Sequence, residues 1–438
     1  VATGFEHAER PSGGGAPTVP LDLPSFASMP FPLSAAVPAP LERALHAVVL
    51  PPGPALTEAL TAALDGEAPA VLPLSPALPG PALREALDVL RPTHVVTEDG
   101  VRRRPGGGGV RGDVAVVIAT SGTTGVPKGV ELPASALLAS ADASLRRLGA
   151  GPGERWLCCL PPSHVSGLQV LVRAARSGTE PIVHGRFRVE EVAASGADHV
   201  SLVPTQLRRM IEAGADLSGF RTILLGGAAA PPGLLAAARE RGARVVTTYG
   251  MSETSGGCVY DGLPLDGMRV AIGDGGRILL SGPTLFSGYR LAPGPTAEAL
   301  TGGWFRTGDL GELAGGRLRV LGRADDLINT GGEKVVAARV AAVLAEHPSV
   351  AEVAVVGRPD PEWGERVVAV VVPRGTPPTL ADLREHGRAA LPSHALPREL
   401  EVTAALPLLA NGKPDLAALR EGRPDLPLDP RRSSETRP

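Results

Sequence analysis

The sequence predicts a large α/β N-terminal domain with buried sheets, followed by a small α+β C-terminal domain. Two observations carry this. From residue 113 onward, apolar runs of strand length (114–119, 200–203, 222–225 and 244–248) alternate with helical patterns at 133–148 and 231–241. Such alternation argues for a sheet covered on its faces. After Gly322-Arg323 the pattern changes to a helix (335–346), two strands (351–356 and 367–372), a helix (380–390) and a short strand (400–403), enough for a separate small domain.

Taken in order, residues 1–30 are rich in Gly, Pro and Ser without periodicity and read as a disordered leader. The N-terminal domain is expected over 31–322. It opens with short helical patterns such as 81–87 and a Gly-rich link from Gly106 to Gly109. The small domain is expected over 323–420, and the Pro- and Arg-rich stretch 421–438 reads as a disordered tail.

Composition excludes several classes. A net charge of -3 offers no basic footprint for nucleic acid. No apolar run approaches the roughly 18 residues of a membrane span, and no basic stretch followed by an apolar core marks a secretory signal. Three cysteines, Cys158, Cys159 and Cys258, make neither a disulfide framework nor a zinc site. Buried, reduced thiols in a cytoplasmic protein are expected. Of 43 basic residues only three are lysine: Lys128, Lys334 and Lys413. Lysine supplies a compact point charge where arginine supplies a planar fork, so a lysine kept against this bias is a candidate for a site needing that charge.

The strand at 114–119 runs into Thr120-Ser121-Gly122-Thr123-Thr124-Gly125-Val126-Pro127-Lys128-Gly129. Glycines let backbone approach a polyphosphate, hydroxyls and amides supply donors, and Lys128 adds positive charge. A P-loop needs Gly-Lys-Ser/Thr opening a helix; Pro127 before the lysine and Gly129 after it break that spacing. Downstream, Gly226-Gly227-Ala228-Ala229-Ala230-Pro231 follows a strand and opens a helix. Its small residues let a planar base lie against backbone, and also make a tight turn. In Tyr249-Gly250-Met251-Ser252-Glu253-Thr254, Tyr249 is a stacking platform. Glu253 with phosphate oxygens suits Mg²⁺. Asp309, in Trp304-Phe305-Arg306-Thr307-Gly308-Asp309-Leu310, is a natural acceptor from both ribose hydroxyls.

These stretches, in this order, resemble the motifs of the adenylate-forming superfamily of acyl-CoA synthetases, luciferases and nonribosomal-peptide adenylation domains. The likeness covers about residues 35–420. The resemblance implies ATP, Mg²⁺ and coenzyme A as reactants or cofactors, and a small-molecule carboxylic acid as the partner. It assigns Thr120, Ser121, Gly122, Thr123, Thr124, Gly125 and Lys128 to the phosphates, and Gly227, Ala228, Tyr249 and Gly250 to adenine. Ser252 falls to the α-phosphate, Asp309 and Arg323 to the ribose, and Glu253 to the metal. Asp325, in Gly322-Arg323-Ala324-Asp325-Asp326, matches the hinge of a mobile C-terminal lid. Ala337 and Arg339 stand where the family often has Pro and Glu. Lys334 matches a basic position, and Gly332 lies in the segment that faces the site during thioester formation. Lys413, in Leu406-Pro407-Leu408-Leu409-Ala410-Asn411-Gly412-Lys413, matches the lysine of adenylation. A charge there stabilises the transition state.

For the acid, Leu160 to Leu171 with its Ser166-Gly167-Leu168-Gln169, Val203-Pro204-Thr205-Gln206-Leu207, and Tyr249 through Asp261 with its Ser255-Gly256-Gly257-Cys258 resemble the o-succinylbenzoate–CoA ligases of menaquinone synthesis in their short actinobacterial form. That places His164, Gln206, Ser255, Gly256 and Gly257 at the acid pocket, with Arg173 or Arg208 opposite a second carboxylate. The rival readings are a ligase for another aryl or acyl acid, an enzyme loading a carrier protein, and a non-catalytic nucleotide-binding protein. No carrier-like Asp-Ser-Leu segment follows, and intact Lys413 and Glu253 argue against the last.

Overall fold

A computed structural model describes residues 42–121, 127–408 and 414–422. The leader, Gly122, Thr123, Thr124, Gly125, Lys413 and the tail lie outside the described residues, as does the Ser121 side chain. The fold is the predicted combination: a large mixed α/β portion with several sheets and a small α+β portion after it.

Two seven-stranded sheets build the large portion. In the first, Leu45–Val48 pairs in parallel with Ala70–Pro73 and His94–Thr97, and Val114–Ser121 forms an antiparallel hairpin with Pro127–Pro133. The short strand Gly288–Tyr289 closes the edge beside that hairpin. In the second, Trp156–Cys158, His199–Leu202, Thr222–Leu225 and Val245–Met251 run parallel, and Gly256–Tyr260 returns antiparallel. The central parallel strands His199–Leu202 and Thr222–Leu225 are buried along their whole length, as a sheet covered on both faces requires. A five-stranded antiparallel sheet including Arg277–Ser281, Trp304–Ala314 and Arg317–Arg323 follows.

Helices Ala134–Leu148 and Val165–Arg176 pack together within the main core, against residues of both large sheets. The first buries Leu137, Ser140, Ala141, Ser144 and Leu148, a stripe at helical spacing whose small members bring the neighbouring backbone close. The second is buried on every side from Gly167 to Ala174. Gly167 has no room for a side chain, since a Cβ there would lie 2.4 Å from the Pro161 carbonyl oxygen.

The small portion is a sheet of Leu327–Thr330, Glu333–Val336, Val350–Asp360, Gly364–Pro373 and Glu399–Val402. Helices Ala337–Leu344 and Leu380–Arg388 cover one face, and Leu416–Arg420 packs on the other. One expectation needs correcting. Val335 and Val336 do not begin a helix but end a hairpin strand, and the helix starts at Ala337. Gly331 and Gly332, with φ of 61° and 82°, form the two-residue turn that twisted hairpins prefer.

Arg290 ties the end of the helix Gly80–Leu90 and the Gly-rich link to the edge of the first sheet. Its side chain is 1% exposed and donates to the carbonyls of Leu90, Arg91, Gly108 and Gly109, with Glu131 at 3.4 Å. An Arg290→Met variant leaves these acceptors and the Glu131 charge without their partner. It is expected to lose about 3 kcal/mol of stability, read as a lowered urea midpoint; an unchanged midpoint contradicts this role.

Candidate active site

The candidate phosphate-loop motif is flanked by two paired strands. Thr120 pairs with Lys128 and Ser121 with Pro127 across it, and Thr120 Oγ1 donates to the Lys128 carbonyl at 3.2 Å. Lys128 therefore sits on the returning strand, exposed. No helix opens after the lysine, so a P-loop is excluded by topology as well as by spacing.

The 249–254 motif lies where Val245–Met251 gives way to a short 3₁₀ turn, Ser252–Thr254. Gly250 is forced: a Cβ would fall 2.0 Å from the Gly256 carbonyl oxygen. This close approach sets Tyr249 on one side of the strand and Glu253 just beyond it. The Tyr249 hydroxyl donates to Asp309 Oδ2 at 2.8 Å, which joins the adenine candidate to the ribose candidate. Asp309 is held further by Arg323 Nη1 at 3.3 Å, and Arg323 also reaches Asp325 at 3.0 Å. Burial, reinforced by the Asp309 charge, pushes the Tyr249 phenol well above its ordinary range, so it stays a donor. Ser252 flanks Glu253 in the turn. Gly227, Ala228 and Ala229 are exposed after the strand Thr222–Leu225, leaving space above the turn.

Glu253 is a half-buried carboxylate. Its Oε1 accepts from the Tyr289 hydroxyl at 2.9 Å, and burial pushes its carboxyl above the usual range. An anion so placed favours a compact cation beside it. One carboxylate completed by phosphate oxygens and water is the donor set Mg²⁺ takes. No cluster of three or more His, Cys, Asp or Glu suited to a metal occurs among the described residues, which leaves that mixed coordination as the one on offer. Tyr289 was not singled out from sequence. The signal available was only a Gly-Tyr pair before Arg290, with nothing to indicate its distant partner.

The acid-pocket candidates gather around helix Val165–Arg176. His164 occupies its N-cap, half-buried. Gln169 and Arg173, four apart and so on one face, are 2% and 5% exposed. Arg173 donates to Ser201 Oγ at 3.1 Å and stacks 4.7 Å from the Trp156 ring. It has no carboxylate partner among the described residues, and its Nε is unpaired, as are Gln169 Oε1 and Ser255 Oγ. Ser255 is fully buried with φ of 52°, a left-handed conformation that costs a non-glycine residue energy and marks functional sites. A side chain at Gly256 would press on Gln169 Cγ at 3.1 Å. Arg208, the other cationic candidate, donates instead to the Ala351 carbonyl at 2.5 Å. Gln206 Oε1 accepts from the Val203 N–H at 3.1 Å and so caps its own helix.

At the far end, Asp415 N donates to the Pro407 carbonyl at 2.8 Å and Leu408 bridges to Pro414, closing the base of the segment that carries Lys413. Asp325 lies in the 3₁₀ turn Ala324–Asp326, and Asp326 pairs with Arg420 at 2.7 Å. The three cysteines are buried and unpaired, and burial pushes each thiol up to about 12.

The AMP-binding enzyme profile matches residues 104–290, and the profile of the AMP-binding enzyme C-terminal domain matches 339–413. A probable 2-succinylbenzoate–CoA ligase of Mycobacterium tuberculosis is 49% identical over 326 residues, covering 70% of this chain and 84% of the relative. The chain belongs to the AMP-binding enzyme family. Among other AMP-binding enzymes, the 2-succinylbenzoate–CoA ligase of Listeria monocytogenes is 35% identical over 326 residues, covering 70% of each chain. The o-succinylbenzoate CoA synthetase of Bacillus subtilis, solved with the acyl-adenylate OSB-AMP, superposes with a TM-score of 0.76 at 28% identity, covering 87% of this chain and 89% of that one. The same enzyme has been solved with ATP and a magnesium ion. No described helix is long and apolar enough to cross a membrane.

Within this AMP-binding enzyme, the Gly250 contact keeps Tyr249 against Asp309. A Gly250→Ala variant is expected to weaken ATP binding about tenfold or more by equilibrium titration. An unaltered dissociation constant contradicts the arrangement.

Proposed function

We propose that this chain is a 2-succinylbenzoate–CoA ligase, an acid–thiol ligase that works through an acyl-adenylate. The observation that carries the choice of acid is Arg173: a guanidinium inside the core, with its Nε unpaired and no carboxylate partner among the described residues. Burying a cation without a counter-charge is costly. A substrate that brings a second carboxylate supplies the missing partner. Desolvation already works against the Arg173 charge, which a carboxylate would reverse. Arg208 is occupied by the Ala351 carbonyl, so Arg173 is the better of the two candidates. His164 at the helix N-terminus and the side-chain-free Gly256 and Gly257 would border the aromatic portion.

In the first step a carboxylate oxygen of the acid attacks the α-phosphorus of ATP. The bond from that phosphorus to the bridging oxygen breaks, and pyrophosphate leaves with the electron pair. Tyr249 and Asp309 hold the nucleoside, while Ser252 and the 120–128 loop face the phosphates. Lys413 brings an ammonium to the charge that develops there. Mg²⁺, when bound at Glu253, supplies further neutralisation of phosphate charge. In the second step the thiol of coenzyme A loses its proton and its sulfur attacks the acyl carbon. The carbon–oxygen bond to AMP breaks, giving the thioester. Rotation about Asp325 would withdraw Lys413 between the steps, a lid motion of the kind that separates half-reactions. The reaction would take place in the cytoplasm, where ATP and coenzyme A are available.

Thioester formation across a panel of acids checks this reading. 2-Succinylbenzoate is expected to exceed benzoate and octanoate by orders of magnitude, and comparable turnover of a monoacid contradicts the assignment. Transfer to a carrier protein in preference to coenzyme A would favour the carrier-loading alternative. An Arg173→Gln variant is expected to raise the KM for 2-succinylbenzoate on the order of 100-fold, with the KM for ATP little changed. An equal rise in both would instead indicate a general loss of structure.

A further inference from the structure

Tyr289 stands between two parts of the site that belong to different sheets. Its hydroxyl donates to Glu253 Oε1 at 2.9 Å, and its ring lies under the Lys128 ammonium, 5.9 Å from the centroid. That separation is within the range of a cation–π attraction.

Each side of this bridge is fixed by independent contacts. Tyr289 lies on the edge strand Gly288–Tyr289, opposite Val130 on the strand that carries Lys128. Its N–H donates to Thr296 Oγ1 at 2.8 Å, and the next residue, Arg290, donates its N–H to the Gly129 carbonyl of the phosphate hairpin at 2.8 Å and its side chain to four carbonyls of the helix end and Gly-rich link beside it. Phe286 tilts against the ring at 4.9 Å, and the Phe286 N–H donates to the Glu253 carbonyl at 2.9 Å. The segment 286–290 thus grips Glu253 by both backbone and side chain while being pinned to the phosphate hairpin.

We infer that Tyr289 is a positioning residue for ATP and its metal: its hydroxyl aims the Glu253 carboxylate at the metal, and its ring steadies Lys128 beside the phosphates. A free carboxylate on a glutamate samples several rotamers, and a hydroxyl donor fixed on Oε1 narrows that choice. The inference rests on the reading of Glu253 as the metal contact.

The test is calorimetric titration of ATP into the full chain, with and without Mg²⁺, in the absence of acid and coenzyme A. Tyr289→Phe keeps the ring and removes only the hydroxyl. Its Mg²⁺-free affinity is expected within about twofold of the parent, and the gain on adding Mg²⁺ is expected to fall about tenfold. Tyr289→Leu also removes the ring and is expected to weaken ATP binding without Mg²⁺. In a Glu253→Gln background, Tyr289→Phe is expected to have no further effect on the Mg²⁺ gain. If Glu253→Gln abolishes the gain but Tyr289→Phe leaves it intact, the positioning role is overturned. If Tyr289→Phe loses affinity equally with and without Mg²⁺, it is overturned as well. A gain that survives Glu253→Gln overturns the metal assignment itself.

Discussion

Repulsion between anions governs what this site must accomplish. A carboxylate and a triphosphate do not approach each other in water, where each is separately hydrated. A site that joins them has to gather positive charge and fixed donors around the α-phosphorus before the reaction begins. The two large sheets answer this by bringing separate sequence segments to one place. The hairpin 114–133 presents the phosphate loop and Lys128, and Val245–Met251 delivers Tyr249, Ser252 and Glu253. The antiparallel sheet after them contributes Asp309 and Arg323. The Tyr249–Asp309 and Tyr289–Glu253 hydrogen bonds are where these pieces lock together.

The acid side follows from how the interior is filled. A helix buried on every side ordinarily carries apolar residues throughout, yet Val165–Arg176 holds Gln169 and Arg173 in its buried run. Together with Ser201 and the strained Ser255, they form a polar seam in an otherwise apolar core. The interior partly satisfies that seam through Ser201 and the Leu137 carbonyl. What it leaves unpaired includes the Arg173 Nε–H and the Ser255 hydroxyl, two donors of the kind a carboxylate accepts from. On the proposed assignment, substrate choice resides in the same packing that stabilises the domain.

Much of this was legible in the sequence because the adenylate-forming motifs are local. The run from Thr120 to Lys128 follows a strand, and Tyr249 to Thr254 lies on one strand and its turn. Each therefore carries its own structural context. The buried strands at 200–203 and 222–225 were legible from their shortness and from the helical patterns between them, since a short apolar run alone does not distinguish strand from buried helix. Tyr289 was invisible because its meaning depends on Glu253, 36 residues away and on another sheet. Arg173 and Arg208 looked alike in sequence, and they differ in the structure by the burial and unpaired Nε of Arg173 and by the Ala351 carbonyl on Arg208. The helix expected from Val335 started late because Gly331-Gly332 made a hairpin turn, and paired β-branched residues extended the strand before helical periodicity took over.

The central claim is that an oxygen of the acid becomes bonded to the α-phosphorus of ATP. Its most direct test is to supply 2-succinylbenzoate labelled with heavy oxygen in its carboxylates, together with ATP, Mg²⁺ and coenzyme A, and to weigh the AMP released. An acyl-adenylate requires one labelled oxygen in each AMP formed. AMP without label, alongside labelled thioester, would contradict the account.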